Sequence, residues 1–310
     1  MPTPPALFDP ELLAHRRARA AAGEPAEFLR ELAAAEISER LSEVNRRFQA
    51  PVIIGPRGAL WAEALGLPGA RLIPDAEVLD LAPGEADLIV HALALHWAND
   101  PVGQLAQARR ALRPDGLFIG ALFAGETLWE LRQALADAEV AVTGGLSPRV
   151  APMGEIRDLG SLLQRAGLAL PVADSQRLPV SYATMIHLMR DLRAMGETSV
   201  LRDRSREPMS RALLARAAEI YAERFGDGGG RVEATFEIVY LTAWAPSPGQ
   251  QKPLRPGSAA ARLADALGTE ERSAGEHAGG TGAGGTGAGG TGAGGTGGGR
   301  PTKPGEQDKA

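Results

Sequence analysis

A chain of 310 residues with 44% hydrophobic and 23% charged residues is long enough for one large domain or two small ones and can bury a substantial core. Its formal net charge of −5 excludes the basic field that a nucleic-acid backbone demands, and the absence of cysteine removes disulfides, thiol nucleophiles, iron–sulfur clusters and Cys-ligated zinc together. No stretch reaches the roughly 18 apolar residues of a membrane span, and MPTPPALFDPELLAHRRARAAAG at the start holds no apolar core of signal-peptide length, so the expectation is a soluble, cytoplasmic protein without stable membrane insertion.

In chain order, residues 1–50 read as an N-terminal helical segment. Its main element spans 26–48, where Phe28, Leu32, Ile37, Leu41, Val44 and Phe48 fall near one face and charge lies elsewhere; such a helix covers a sheet. PVIIGPRGALWA at 51–62 follows as strand, glycine turn and helix start. Asp87-Leu88-Ile89-Val90 enters an apolar run that continues to Leu95, the pattern of a central parallel strand buried on both faces. A helix over 101–112, a turn at Arg113-Pro114-Asp115-Gly116 and a buried strand Leu117–Phe123 come next. Helices follow at 126–142, stopped by Gly144-Gly145, and at about 154–166, stopped by Gly167. A strand near 172–182, two helices near 184–195 and 208–225 and a last strand at 235–245 complete the domain over 51–268. The repeated strand–helix order predicts a doubly wound, mostly parallel α/β sheet, with a helical cap at about 184–225 between the last two strands. Residues 269–310 end in a Gly/Thr/Ala repeat that offers no side chains to bury and is expected to be a flexible, disordered tail.

In an open parallel sheet, ligands lie beyond the carboxyl ends of the strands. That rule selects the turn after Ile54, the segment around Asp75, the loop His96-Trp97-Ala98-Asn99-Asp100 and the end of Phe123. The loop sets polar and aromatic groups directly after an apolar strand, so His96 and Trp97 are pocket candidates. Asn99 and Asp100 are either substrate contacts or the cap of the helix entered at Pro101. His91 is a strand residue whose backbone, rather than its ring, would meet a ligand. His15, His91, His96, His187 and His277 show no metal-binding spacing, and neither a G-x-S-x-G elbow nor a full G-x-G-x-x-G with its acidic residue about 20 positions on is present.

The stretch ADLIVHALALHWANDPVGQLAQARRALRPDGLFIGALFAGETLWELRQAL resembles the fourth-to-fifth-strand region of class I S-adenosylmethionine-dependent methyltransferases. More narrowly, it resembles the group that contains the malonyl carrier-protein methyltransferase of biotin synthesis and the mitochondrial respiratory complex I assembly factor 5. Likeness to the assembly-factor branch continues through GGLSPRVAPMGEIRDLGSLLQRAGL, MRDLRAMGE and ATFEIVYLTAWAP, over roughly residues 5–268. The resemblance implies a class I methyltransferase-like, Rossmann-like fold and S-adenosylmethionine as cofactor. Gly55 and Gly58 would let backbone amides approach the cofactor's methionine carboxylate, Asp75 would accept from the adenine amine, and the Ala76 amide would reach the ring. His91 would border the same site, His96 and Trp97 would act at the acceptor, and Asn99, Asp100 and Arg149 would meet the substrate. The implied partners are a respiratory complex subunit or an acyl carrier protein, and the implied chemistry is methylation or modification of a protein arginine.

This chain departs from the family pattern at its start. Val52-Ile53-Ile54-Gly55-Pro56-Arg57-Gly58 lacks the acidic residue and one glycine of the cofactor loop, and Pro56 removes an amide donor. Gly55 and Asp75 are only 20 residues apart. Two strand–helix units need more, since each crossover takes at least about 10–12 residues. The first half is therefore expected to be one unit short; the alternative alignment makes Asp75 the ribose ligand and shrinks the third strand. A damaged loop in a kept fold also predicts a rival function, an inactive methyltransferase-like assembly or binding module.

Overall fold

The computed structural model describes residues 6–250, and they form a six-stranded sheet between helical layers. The predicted domain limit at residue 268 and the predicted tail over 269–310 lie outside the described residues.

The chain opens with a helix that the periodicity did not reveal, α1 (Pro10–Ala21). Asp9 caps it by accepting from the Leu12 amide, and Pro10 fits the first turn, where its missing N–H is no loss. Helix α2 (Phe28–Glu43) buries Leu29, Ala33, Ala34 and Ile37; it is shorter than the expected 26–48 because the chain turns extended at Val44. Strand β1 (Pro51–Ile54), the short helix α3 (Gly58–Ala64), β2 (Arg71–Ile73) and β3 (Ala86–Ala92) follow. The apolar run to Leu95 does not stay extended: after Ala92 the chain enters a one-turn 3-10 helix, Leu95–Trp97, that turns His96 and Trp97 away from the strand line.

Helix α4 (Pro101–Ala111) leads into β4 (Leu112–Phe123). The predicted turn at 113–116 is absorbed into that strand as a bulge: Ala86 pairs with Leu112 but Leu88 pairs with Leu117, and Asp115 takes φ 63°. Next come α5 (Trp129–Thr143), α6 (Ile156–Arg165) and β5 (Ala169–Tyr182). Gly144 (φ 71°) and Gly167 (φ 79°) terminate the two helices, as their positions predict. The cap is α7 (Met185–Met195) and α8 (Arg211–Phe225), and β6 (Val232–Trp244) closes the sheet.

Strand order is β2-β1-β3-β4-β6-β5, with β1 to β4 mutually parallel and β6 antiparallel to both β4 and β5. Only β2 lies outside β1, so the sheet is short by one strand at that edge, which is where the 20-residue path from Gly55 to Asp75 left no room. Period-2 alternation divides the core. Leu88, Val90, Ile119 and Ala121 face α2, α5 and the cap, whereas Ile89, Phe118 and Leu122 face α4 and α6. Burial on both faces explains why β3 and β4 read as unbroken apolar runs.

The N-terminal segment crosses the carboxyl ends of the strands. Phe8 forms a bridge with Leu201 and packs edge-on to Trp97, ring centroids 5.1 Å apart, and the Asp9 amide donates to the Val200 carbonyl. No helix among the described residues is long and apolar enough to cross a membrane.

Candidate functional site

Two neighbouring regions lie over the strand ends, and the residues singled out from the sequence divide between them. The first, over β1, β2 and the start of β3, is closed. Gly55 takes φ 132°, a conformation that favours glycine, and a Cβ there would come within 2.8 Å of the Ala92 carbonyl oxygen. Its small size therefore serves the joint between two strands. Gly58 abuts the Leu72 side chain, where a Cβ would sit 3.2 Å away. Arg57, also at positive φ, pairs with Glu27 at 2.6 Å.

Asp75 lies two residues beyond β2, and Arg17 of α1 donates to both of its carboxylate oxygens, at 2.7 and 2.9 Å. The Ala76 carbonyl accepts from Gln104 Nε2 at 3.0 Å, and the Oε1 of that same side chain lies 3.1 Å from His91 Nε2. His91 is fully buried, and burial pushes its proton affinity down, so the ring is neutral. Space over Pro56 and Arg57 amounts to about 30 Å³, lined by Arg17 and Arg30 among others. That is room for a water molecule or two. With α1 in this place, the residues implied for S-adenosylmethionine do not fit it: the acidic ligand is taken, one amide donor is replaced by Pro56, and the volume is filled.

The second region is open. A cavity of about 240 Å³ runs between the 3-10 turn, the end of β4, α5, the 148–153 segment, α7 and the 198–209 segment. His96, Trp97 and Arg149 line it, and at its base lies Glu197, a residue to which the sequence analysis gave no role. His96 Nε2 and Trp97 Nε1 both approach Glu197 Oε2, at 3.0 and 2.6 Å, and Arg30 reaches the other oxygen at 3.4 Å. Burial alone would raise the Glu197 pKa; the His96 hydrogen bond and charge and the Arg30 and Arg17 charges outweigh it and hold the carboxyl at about 2. An ionised Glu197 accepts only, so His96 donates its Nε2–H to it. His96 Nδ1 is buried and has no hydrogen-bond partner among the described residues.

The remaining expected residues stand apart. Arg149 lines the cavity but is held by Glu139, with Nε 3.1 Å from Oε2 and a second bond from its terminal nitrogen. Glu139 is pushed below the usual carboxylate range, since bonds from Arg149 and Ser147 outweigh its burial. Asn99 clamps the N-terminal segment: its Oδ1 accepts from the Phe8 amide and its Nδ2 donates to the Phe8 carbonyl. Asp100 caps α4 by accepting from the Gly103 amide at 2.8 Å. Neither lines the cavity.

Residues 22–120 match the family described as "Methyltransferase domain". Among curated proteins, the chain is 35% identical over 263 residues to the mitochondrial arginine-hydroxylase NDUFAF5 of Danio rerio, an alignment that covers 77% of this chain and 82% of that one. It is 39% identical to the Homo sapiens protein of the same name over 62% of this chain and 56% of that one, so part of that longer relative has no counterpart in the match. It is 37% identical to a malonyl-[acyl-carrier protein] O-methyltransferase of Laribacter hongkongensis over 61% of each chain. Among solved structures, a phosphoethanolamine N-methyltransferase of Haemonchus contortus in complex with S-adenosyl-L-methionine aligns with a TM-score of 0.38 and 12% identity, covering 72% of this chain and 54% of that one.

Proposed function

This chain belongs to the NDUFAF5 family, and from that membership we propose that it is a methyltransferase-fold factor acting on a protein partner, whose working site is the His96–Glu197 cavity rather than the cofactor cleft. The observation that carries this reading is the cavity-lining His96, whose Nε2 is fixed 3.0 Å from a buried, ionised Glu197. In its neutral form the imidazole takes a proton from an X–H group of the bound partner. The product pair is X⁻ and an imidazolium, and the fixed carboxylate 3.0 Å away stabilises that cation as it forms. Trp97 shares the same carboxylate and holds the dyad in place. The partner class is a subunit of a respiratory complex, in keeping with the family, and the group that reacts is a side chain or acyl group small enough for about 240 Å³.

Within this reading α1 is part of the finished fold, and Arg17 does at Asp75 what a cofactor hydroxyl or amine would otherwise do. Methylation is the second reading, supported by the match over residues 22–120; it requires α1 to leave the cleft.

Two measurements separate these readings. Calorimetry with S-adenosylmethionine on the full chain is expected to give no heat up to about millimolar cofactor. Micromolar binding that Asp75→Ala abolishes would establish the methylation reading instead. In cells lacking this gene, native-gel assay of respiratory complex assembly is expected to fail with His96→Gln and to succeed with Asp75→Asn, provided both proteins accumulate. Full rescue by His96→Gln would remove His96 from the mechanism.

A further inference from the structure

The surface around the cavity mouth is framed by charge of one sign. Arg16 of α1, Arg193 of α7 and Arg204 of the segment before α8 reach the mouth, and Arg19 stands three residues beyond Arg16, on the same side of α1. The elements that carry them are pinned together. A Cβ at Gly196, which ends α7, would lie 3.3 Å from the Arg17 Cγ, and Phe8 bridges to Leu201, whose carbonyl accepts from Arg204. None of the four arginines makes an ion pair among the described residues; Glu11 of α1 and Asp203 and Glu207 of the 198–209 segment make none with them. Arg149 is already matched by Glu139 and stands outside the group.

This concentration of charge is local. The chain as a whole carries a net charge of −5, yet burial and then the charges of Arg204, Arg19 and Arg193 lower the proton affinity of Arg16, so the four guanidiniums lie close enough to act on one another. Like charges held together cost free energy, and carboxylates laid among them relieve that cost with the planar, forked geometry that guanidinium matches best. Behind the arginines lies a cavity of about 240 Å³, a concave opening sized for one side chain of a polypeptide and not for a flat anionic bilayer. Beyond the arginines, the negative balance of the chain opposes a polyphosphate or an anionic membrane.

We propose that Arg16, Arg19, Arg193 and Arg204 form the docking surface for the protein partner, and that they select an acidic segment: the side chain that enters the cavity is flanked, in the partner, by aspartates or glutamates that lie on the arginines. The assignment rests on the reading of the partner as a protein, and it names what is recognised around the reacting side chain. It sets no limit on the charge of that side chain, because the flanking carboxylates cancel the field at the mouth and a cation that passes it meets the ionised Glu197 at the base. Charge arranged in this way steers encounter and sets specificity, and it weakens with salt as the screening length falls below about 10 Å.

The test is fluorescence anisotropy on the full-length chain at pH 7 and low salt, with rhodamine-labelled peptides of equal length that carry glutamates or glutamines on both sides of a central alanine, and co-sedimentation with phosphatidylglycerol vesicles. The glutamate peptide is expected to bind at least tenfold more tightly than the glutamine peptide. Salt at about 0.5 M, where the screening length is about 4 Å, is expected to remove most of that preference. Arg19→Glu with Arg193→Glu, at two exposed and unpaired positions, is expected to abolish it. Arg47→Glu with Arg165→Glu changes the net charge equally at exposed positions that precede β1 and β5, toward the opposite end of the sheet, and is expected to keep it. Equal binding of the two peptides would overturn the docking surface, and so would a preference that survives Arg19→Glu with Arg193→Glu. Vesicle binding that exceeds peptide binding and is lost in the same variant would replace the acidic segment by a membrane. His96→Gln is expected to bind the glutamate peptide as the parent does, so failure of the docking surface and failure of His96 as the base are read separately. The comparison of peptides on the unaltered protein stands even if a variant does not fold.

Discussion

Glu197 links the cavity to the stability of the domain, and its charge can be tested without any knowledge of the substrate. Its carboxyl is held at about 2 instead of the ordinary 4.5. A group whose folded pKa is depressed stabilises the fold above its unfolded pKa, and that contribution is lost as pH falls toward the folded value. At about 1.4 kcal/mol per pKa unit, the ionised form contributes at most about 3 kcal/mol at neutral pH, the full amount holding where His96 carries the charge that lowers the Glu197 pKa. About 2 kcal/mol of this is gone at pH 3. Glu197→Gln keeps the shape and removes the charge, so it is expected to be about 3 kcal/mol less stable than the parent at pH 7 and only about 1 kcal/mol less stable at pH 3. Urea unfolding of both proteins at pH 7, 5 and 3 measures the gap, while Glu139 and the other carboxylates titrate alike in both and cancel. A gap that stays constant within about 0.5 kcal/mol from pH 7 to pH 3 would refute the ionised, multiply bonded Glu197.

Arg17→Met is expected to destabilise by about 1–2 kcal/mol, since it leaves the partly buried Asp75 without its partner; adding Asp75→Asn should restore part of the loss, which a double-mutant cycle in urea measures. Gly55→Ala is expected to cost about 2 kcal/mol or more, because a Cβ at φ 132° meets the Ala92 carbonyl at 2.8 Å; a melting temperature equal to the parent's would show that the joint is looser than drawn. Asp100→Ala is expected to cost about 1 kcal/mol through the lost cap of α4, read by urea unfolding; a stability equal to the parent's would refute the capping role.

The sequence made β3, β4 and α4 legible because each rests on strong local signals: apolar runs buried on both faces, and an Asp-Pro pair at a helix start. The same pair, Asp9-Pro10, marks α1, but the helix buries only Leu13 along its length and so has no apolar stripe to detect. Its anchors are Phe8 against Trp97, Asn99 on the Phe8 backbone and Arg17 on Asp75, contacts between residues 58 or more apart. Long-range pairings of single polar residues leave no periodicity. Glu197 was hidden for a related reason. It follows Gly196 (φ 79°), the residue that ends α7, and although it closes the MRDLRAMGE stretch, no local signal marks its side chain as part of a site. Only folding sets it beneath a 3-10 turn 100 positions earlier in the chain.

The two regions over the strand ends are coupled through α1 itself. Arg16 and Arg17 are consecutive on that helix, and the first lines the open cavity while the second seals Asp75 in the closed cleft. Any motion that freed Asp75 for a cofactor would also take Arg16 from the cavity wall, together with Phe8 from its place against Trp97. The glycine turn at Gly55 belongs to the closed state of this pair: its amide donates to the Ile73 carbonyl of β2, nearby Arg57 pairs with Glu27, and Glu27 in turn pairs with Arg30, the cation that meets Glu197. The turn after β1 is in this way tied to the carboxylate beneath His96 through Arg57, Glu27 and Arg30.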